Sequence, residues 1–209
     1  MFADRADAGR QLGAAIRDRV APPAHVLGLA RGGVVVAAGV AEAIAAPLDV
    51  VIARKLGAPR NPELAIGAIA PGVRVIDDAM VRRLRVAPDY LDAAIERAEA
   101  EIARRARAYR GDRPPPELAG ETAVVVDDGV ATGATAIAAL RWARAQHPAR
   151  VVFAAPVGPA DTVRRLAREC DEVMMLLTPL SFTAVGTWYR RFDQVGDDEV
   201  EAVLAEHAA

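Results

Sequence analysis

The sequence predicts an α/β fold in which helices cover both faces of a doubly wound parallel sheet. Short apolar segments typical of buried strands alternate with helical patterns from His25 onward. The chain has 209 residues, of which 53% are hydrophobic, so we expect one domain with a sizeable core over residues 1–209. Small-residue turns follow two of the predicted strands, which places candidate ligand loops at the carboxyl edge of the sheet.

The first half of the chain predicts helix–strand units followed by an antiparallel ribbon. The first helix ends at Pro22-Pro23, because proline cannot continue a helix. A polar stretch from Arg54 to Ala65 contains two prolines and precedes a renewed apolar pattern, which favours a β-ribbon with a mobile polar loop. The predicted elements are a helix over 5–20, a strand over 25–30, a helix over 34–45, a strand over 48–53 and a returning strand over 66–70.

The second half continues this alternation after a long amphipathic helix. Apolar residues recur on one face of residues 88–110, Glu and Arg cover the other face, and Pro88 suits the first turn. The acidic pair Asp77-Asp78 precedes a helical pattern and is interpreted as a helix start. The other predicted elements are strands over 73–76, 122–126, 150–156 and 172–177, and helices over 79–84, 134–145, 161–168 and 197–206.

The stretch from Val124 to Thr135 combines a strand end, two acids and a small-residue loop before a helix. The small residues allow backbone N–H groups to approach an anion, and a helix start adds partial positive charge. The hydroxyls of Thr132 and Thr135 can donate to phosphate oxygens. Asp127 and Asp128 would be repelled by that phosphate, so we expect them to face sugar hydroxyls or a metal-bound group. The alternative is an ordinary strand–helix turn with Asp128 near the N-cap.

A hydrophobic run, two acids and then Thr-Gly-x-Thr resembles the 5-phosphoribosyl-1-pyrophosphate signature of the type I phosphoribosyltransferases. The resemblance implies that fold, with Asp127 and Asp128 holding the 2- and 3-hydroxyls of the ribose. It also implies that the loop over 131–135 holds the 5-phosphate. Ala134 stands where this family commonly has glycine, which narrows the loop slightly. The implied phosphate-binding residues are Ala131, Thr132, Gly133, Ala134 and Thr135.

A second turn, Arg31-Gly32-Gly33, follows the first predicted strand. Its spacing is not the G-x-G-x-x-G of a dinucleotide site, and no Gly-Lys-Ser/Thr of a P-loop appears. In the resemblance it matches the pyrophosphate loop. Arg31 would then place a cation on the leaving group, beside the amides of Gly32 and Gly33.

The polar part of the ribbon carries three further cations. Related enzymes have a flexible loop here that closes during catalysis, so the resemblance makes Arg54, Lys55 and Arg60 candidates for pyrophosphate contact. The alternative is that all three are solvated surface charges.

The segment after the last strand holds four of the nine aromatic residues of a chain that is only 4% aromatic. In the resembled family this segment, here residues 178–209 and called the hood, covers the acceptor base. Phe182, Trp188 and Tyr189 are candidates for stacking on the acceptor, and Trp188 is assigned to the substrate site. The alternative is that these rings close the core against the first helix.

The resemblance implies a pentosyltransferase of nucleotide metabolism with 5-phosphoribosyl-1-pyrophosphate and Mg²⁺ as substrate and cofactor. The phosphoribosyl group would pass to a nitrogen acceptor, a nucleobase or related ring, with release of pyrophosphate. Arg31, Lys55, Asp127 and Asp128 are the implied catalytic residues, and Mg²⁺ would be held chiefly by substrate oxygens. Residues 129–131 lack the acid that some family members use to deprotonate a purine. The alternative function is a non-enzymatic regulator that senses the same ligand.

Composition and spacing argue against other classes of function. The net charge of -2 and pI of about 6.0 give no basic field for nucleic acid. The three histidines are far apart and predict no metal site, and Cys170 is interpreted as an inert thiol. The single serine, Ser181, lies outside any Gly-x-Ser-x-Gly elbow, which argues against a hydrolase.

The sequence shows no apolar signal segment and no apolar run of the roughly 20 residues that a spanning helix needs. We therefore expect a cytoplasmic protein without membrane partners. The resemblance adds a homodimer as one expected assembly.

Overall fold

The computed structural model describes residues 1–207 and contains two sheets. The central sheet is parallel and has five strands in the order β2-β1-β6-β7-β8, and a separate antiparallel sheet has the order β3-β4-β5. The central strands are β1 (Ala24–Leu29), β2 (Leu48–Val51), β6 (Thr122–Val126), β7 (Arg150–Val157) and β8 (Glu172–Leu177). The ribbon strands are β3 (Arg54–Ala58), β4 (Asn61–Ala70) and β5 (Val73–Ile76).

Helices lie on both faces of the central sheet, which confirms the predicted doubly wound α/β class. They are α1 (Arg5–Ile16), α2 (Gly32–Ile44), α3 (Asp78–Arg83), α4 (Pro88–Arg110), α5 (Ala134–Arg144), α6 (Ala160–Leu166) and α7 (Asp197–Glu206), with a 3-10 turn at Val185–Trp188. Alternate residues of each strand face opposite cores. In β6, Val124 and Val126 belong to the core cluster that contains residues of α1, α2, α4 and α7, whereas Ala123 and Val125 belong to the cluster that contains residues of α5.

Glycine allows α1 and α2 to pack unusually closely. A Cβ on Gly9 would lie 2.6 Å from the carbonyl oxygen of Val36, and a Cβ on Gly13 would lie 2.5 Å from that of Gly39. Both distances are too short for any side chain, so the backbones approach only because these positions are glycine. This contact fixes the N-terminal helix relative to the helix that follows the first strand.

Most predicted elements are present, and two boundary differences matter. The first helix ends at Ile16, so the prediction of helix over 17–20 was wrong; Arg17, Asp18 and Arg19 are exposed and give that turn no apolar contact. The second helix begins at Gly32, two residues earlier than predicted. The predicted glycine loop therefore forms the first turn of α2.

The polar excursion after β2 is largely regular. Strands β3 and β4 are joined by Pro59 and Arg60, and the strand pairing shifts register at Gly57. A Cβ on Gly57 would lie 2.5 Å from the carbonyl oxygen of Pro62. Proline is tolerated in a strand at such an irregularity, with glycine opposite it. The ribbon is therefore a hairpin extended by a third strand.

Candidate functional site

The site lies where the strand order reverses. From β1 the chain moves outward to β2, and after the ribbon it returns to β6 on the opposite side of β1. Gly28 pairs with Val126, so β1 and β6 end at nearly the same level. In open α/β sheets the crevice at such a switch point is where ligands bind.

The loops that follow β1 and β6 are in direct contact at this crevice. A Cβ on Gly33 would lie 2.7 Å from the carbonyl oxygen of Val126 and 2.9 Å from the Cα of Asp127. A Cβ on Gly32 would overlap with Oδ2 of Asp128. Only glycine permits this approach, so Gly32 and Gly33 are required for the two loops to meet.

In the loop over 131–135, two backbone carbonyls accept hydrogen bonds from side chains, whereas the backbone N–H groups make none within the described residues. Thr162 Oγ1 donates to the carbonyl of Ala131 at 2.5 Å, and Arg165 donates to the carbonyl of Thr132 at 3.0 Å. No hydrogen bond within residues 1–207 uses an N–H group of residues 131–135. Gly133 has φ +78°, a left-handed conformation that favours glycine, and α5 begins directly after it without a side-chain cap. Free amides at a helix start form an anion site.

A second uncapped helix start, that of α2, lies at the end of β1. The cap residue of α2 is Arg31, whose side chain makes no capping bond, and Val34 N–H donates to its carbonyl at 3.1 Å. The N–H groups of Gly32 and Gly33 donate to no acceptor in the described part of the chain. Arg31 lies 3.8 Å from Asp197 and borders a cavity of about 310 Å³. Arg31 and Gly32 both line this cavity, so the guanidinium and the Gly32 amide can meet an anion there.

The two acids differ in environment. Asp127 is only 9% exposed, and its Oδ1 accepts the N–H of Asp128 at 2.9 Å. Burial, followed by the charge of Asp128, raises the pKa of Asp127 well above its ordinary value. Burial also raises the pKa of Asp128, and the nearby Arg5 guanidinium opposes that rise. Asp128 is the more accessible of the two carboxylates.

Residues distant in sequence contact Asp128, and no sequence pattern predicted these contacts. Arg5 Nε donates to Oδ2 of Asp128 at 2.7 Å, and the Tyr189 hydroxyl donates to the carbonyl of Asp128. The hydroxyl of Thr162 and the guanidinium of Arg165 were missed as well. No motif spacing links positions 5, 128 and 189, so only the folded chain shows their association.

The structure does not bring the cations of the ribbon to the loops of the sheet edge. Lys55 Nζ donates to Oε2 of Glu63 at 3.0 Å, and Arg54 lies 3.9 Å from Glu101. Arg60 is exposed in the turn between β3 and β4 and borders a separate cavity of about 670 Å³. Their contact with a substrate therefore stays a prediction.

The aromatic residues of the hood divide into two groups. Tyr189 is buried, with its ring 5.4 Å from Phe2 and 4.9 Å from Phe192, so the packing alternative holds for Tyr189. Trp188 and Phe182 are half-buried. The indole Nε1 of Trp188 is buried and has no hydrogen-bond partner among the described residues.

The turn that contains Trp188 lies against the acidic loop. A Cβ on Gly129 would overlap with the side chain of Val185, at the start of this turn. The start of this turn is therefore held against the loop that contains Asp128, and the role of Trp188 toward an acceptor stays a prediction.

Three further observations concern the described residues as a whole. Within residues 1–207, no three His, Cys, Asp or Glu side chains are grouped so that they could hold a metal ion. None of the helices in that range is both long and apolar enough to cross a membrane. Burial raises the pKa of the Cys170 thiol to about 11, which favours an unreactive thiol.

Comparison with known proteins places this geometry in a family. The family model described as phosphoribosyl transferase domain matches residues 5–186. Two relatives from Mycobacterium tuberculosis, strains CDC 1551 and H37Rv, are each 50% identical over 205 residues, which is 98% of this chain. Both are provisionally named phosphoribosyl transferases. The match covers 46% of each, so the chain spans about half the length of these curated relatives.

Solved structures share the fold. The crystal structure of TT1426 from Thermus thermophilus is 43% identical, with a TM-score of 0.83 over 100% of this chain and 99% of that chain. The structure of AQ2163 protein from Aquifex aeolicus is 13% identical, with a TM-score of 0.51 over 82% of this chain and 73% of that chain. At that identity the second likeness concerns the fold alone.

Proposed function

The chain belongs to the phosphoribosyl transferase domain family, and from this premise we propose that it is a phosphoribosyltransferase. It binds 5-phosphoribosyl-1-pyrophosphate with Mg²⁺ and transfers the phosphoribosyl group to a nitrogen acceptor, a nucleobase or related ring. One observation carries the proposal: two uncapped helix starts, those of α2 and α5, follow the two strands that border the crevice, and the start of α2 contacts Asp127 and Asp128. A ligand that has a phosphate at one end, a pyrophosphate at the other and a sugar with two free hydroxyls between them matches that arrangement.

Each part of the substrate has a complementary group. The free amides over 131–135, with the hydroxyls of Thr132 and Thr135, receive the 5-phosphate. The guanidinium of Arg31 and the amides of Gly32 and Gly33 receive the pyrophosphate. The carboxylates of the acidic pair, Asp127 and Asp128, receive the ribose hydroxyls. Trp188 covers the acceptor from the hood.

The reaction exchanges one bond at C1 of the ribose. The nitrogen of the acceptor forms a bond to C1 while the C1–O bond breaks, the electron pair leaves with pyrophosphate, and the N–H proton of the acceptor passes to water. Positive charge develops on the ribose, where the carboxylates of Asp127 and Asp128 stabilise it, and negative charge develops on the leaving group. Arg31 meets that negative charge, and Lys55, Arg54 and Arg60 join it when the ribbon closes over the crevice.

The donor set fits a metal that arrives with the substrate. Asp127 and Asp128 are the carboxylates at the crevice, and both already have hydrogen-bond partners in the protein. Mg²⁺ keeps few protein ligands when phosphates are available, so substrate oxygens would supply most of its coordination. When bound, the ion adds positive charge to the pyrophosphate oxygens.

The proposal is tested by calorimetry with 5-phosphoribosyl-1-pyrophosphate and Mg²⁺. We expect Asp127→Asn, Asp128→Asn to weaken binding by about 100-fold, because two charge-assisted hydrogen bonds are lost. The matched control is Asp77→Asn, Asp78→Asn, which alters the other adjacent acidic pair, at the start of α3. Equal affinity of the wild type and the 127/128 variant would refute the assignment.

A regulator that only senses the ligand is the second candidate, since the residues at 129–131 include no acid to assist an acceptor. A panel of nucleobases separates the two functions. Release of pyrophosphate with one base supports the transferase, whereas binding without release from any base favours the regulator. Filter binding to RNA and DNA at low salt tests the regulator further.

A further inference from the structure

Arg5 makes three contacts that differ from an ordinary surface ion pair. Its Nε donates to Asp128 at 2.7 Å, and its Nη1 donates to the carbonyl of Asp193 at 2.7 Å. The guanidinium carbon lies 3.8 Å from the centroid of the Phe192 ring, in a cation–π geometry. The side chain is 11% exposed. Ion pairs that are partly desolvated and held by several contacts contribute more than exposed ones.

The backbone around Arg5 is fixed from two directions. The Asp4 side chain accepts the N–H of Asp7 and caps α1, and α1 is held close to α2 by the glycine contacts described above. Residues Phe2 and Ala3 also pair with the hood, because Phe2 N–H donates to the Trp188 carbonyl at 2.8 Å and the amides at 190 and 191 donate back to them. Arg5 and Phe192 are therefore both held next to the loop that contains Asp128.

We propose that Arg5 is a positioning residue of the candidate site, and this inference rests on the proposed function. Arg5 holds the Asp128 carboxylate against the Gly32 turn in its ionised form, ready to accept the ribose hydroxyls. A Cβ on Gly32 would lie 2.7 Å from Arg5 Nε and would overlap with Asp128 Oδ2. The Arg5 guanidinium, the Asp128 carboxylate and the backbone of Gly32 are therefore in direct contact. Arg5, which begins α1 and contacts the hood, therefore influences substrate binding through the Asp128 carboxylate.

The charged groups around Asp128 predict that the effect of Arg5 on ligand affinity depends on pH. Asp127 is adjacent and acidic, the Tyr189 hydroxyl bonds to the Asp128 carbonyl, and Arg5 is the cation in contact with the carboxylate. Burial raises the pKa of Asp128, and Arg5 lowers it. Without Arg5 the pKa rises further, so Asp128 ionises only at higher pH. Ligand affinity should then fall most at low pH and recover as the pH is raised.

The test compares Arg5→Gln with Arg5→Lys and with Arg10→Gln. Arg10 lies on the same helix, is 66% exposed and pairs with Asp7 at 3.4 Å, which makes it a matched control outside the site. By calorimetry with 5-phosphoribosyl-1-pyrophosphate and Mg²⁺, we expect R5Q to bind about 10-fold more weakly near neutral pH, since one charge-assisted contact is lost. The deficit should shrink as the pH rises, R5K should recover part of it, and R10Q should match the wild type.

A double-mutant cycle separates positioning from a general structural role. In the Asp128→Asn background R5Q should add no further loss, because the residue through which it acts is already neutral. An equal loss in both backgrounds, an unchanged pH profile, or tighter binding by R5Q would each overturn the inference. The last result would make Arg5 a competitor of the ribose.

One readout does not depend on the substrate. Carboxyl carbon NMR of the ligand-free protein should show a higher pKa for Asp128 in R5Q than in the wild type, with R10Q unchanged. If the wild type binds no 5-phosphoribosyl-1-pyrophosphate, the proposed function fails, and a raised pKa would still confirm the Arg5–Asp128 contact. If the wild type binds and the Asp128 pKa does not move, the inference about Arg5 fails alone.

Discussion

Asp127 is a carboxylate at a position where packing favours a neutral group. It follows three valines of β6 that are fully buried, and it is 9% exposed itself. Burial and the neighbouring Asp128 both disfavour its charge. An apolar or amide side chain would be more stable there, so packing alone does not account for the acid. Local conflict between stability and residue type is expected at functional sites.

This conflict predicts a dependence of stability on pH. A carboxyl whose pKa is raised by folding stabilises the fold below its unfolded pKa, ordinarily 3.8, and that contribution is lost as the pH rises through the folded value. Asp127→Asn keeps the oxygen that accepts the Asp128 N–H and removes the titration. We expect the melting temperature of Asp127→Asn relative to the wild type to increase steadily from acidic to neutral pH. A difference that is constant with pH would contradict the raised pKa.

At the residue scale, the predicted residues that border the crevice come from two short contiguous stretches. Asp127, Asp128 and the loop over 131–135 form one ordered string, and Arg31 sits in a short turn after a clear strand. Arg5 could not be found this way, because it belongs to a helical pattern and reaches Asp128 only through the tertiary contact of α1 with α2. The spacing of residues in a sequence predicts a site only where the residues of that site are close together along the chain.

At the element scale, α6 supports the loop over 131–135 by hydrogen bonds to two of its carbonyls. The Thr162 hydroxyl is buried and donates to the carbonyl of Ala131, and the exposed Arg165 donates to that of Thr132. The bonds to these two carbonyls fix the backbone of the loop in a conformation in which its N–H groups remain free for an anion. This division of donors and acceptors preorganises the start of α5.

Thr162→Val tests that support because valine keeps the shape and removes the donor. We expect a loss of about 1 kcal/mol in unfolding free energy, measured by chemical denaturation, because the Ala131 carbonyl loses its partner. We also expect weaker binding of 5-phosphoribosyl-1-pyrophosphate in calorimetry. Thr122→Val is the matched control, since Thr122 begins β6 at the opposite edge of the sheet. Equal effects of the two substitutions would contradict the role of α6.

The elements themselves were largely predictable, and the exceptions have physical causes. Residues 172–177 and 197–206 form the strand and helix that were predicted. The β3–β4 hairpin looked irregular because prolines and charges dominate it, and only the register shift at Gly57 accommodates Pro62. The early start of α2 was missed because two glycines indicate a loop by propensity, whereas here they allow the helix to touch Val126 and Asp127.

At the scale of the whole molecule, the strand order sets the position of the site and the N-terminal segment completes it. The reversal between β1 and β6 opens the crevice, as in other open α/β sheets. Phe2 then pairs with Tyr189, whose hydroxyl donates to the carbonyl of Asp128. A small cluster of Phe2, Ala8 and Tyr189 therefore connects the N-terminal segment, the hood and the acidic loop.

Phe2→Ala tests whether that cluster supports the site. Phe2 is 3% exposed and its ring packs 5.4 Å from that of Tyr189, so its truncation should lower the unfolding free energy by about 3 kcal/mol. The loss of this contact frees Tyr189 and the segment that carries Arg5, so ligand affinity should fall as well. Both quantities are measurable by chemical denaturation and by calorimetry below the melting temperature of the variant.

The control for Phe2→Ala is Phe182→Ala, which removes the same ring from a half-buried position in the hood. Because Phe182 covers less of the core, we expect it to cost under about 1 kcal/mol in denaturation. If Phe2→Ala is no more destabilising than this control, the N-terminal segment is not a fixed part of the fold. If Phe2→Ala is destabilising but ligand affinity is unchanged, the cluster stabilises the chain without reaching Asp128, and the site depends on the sheet edge alone.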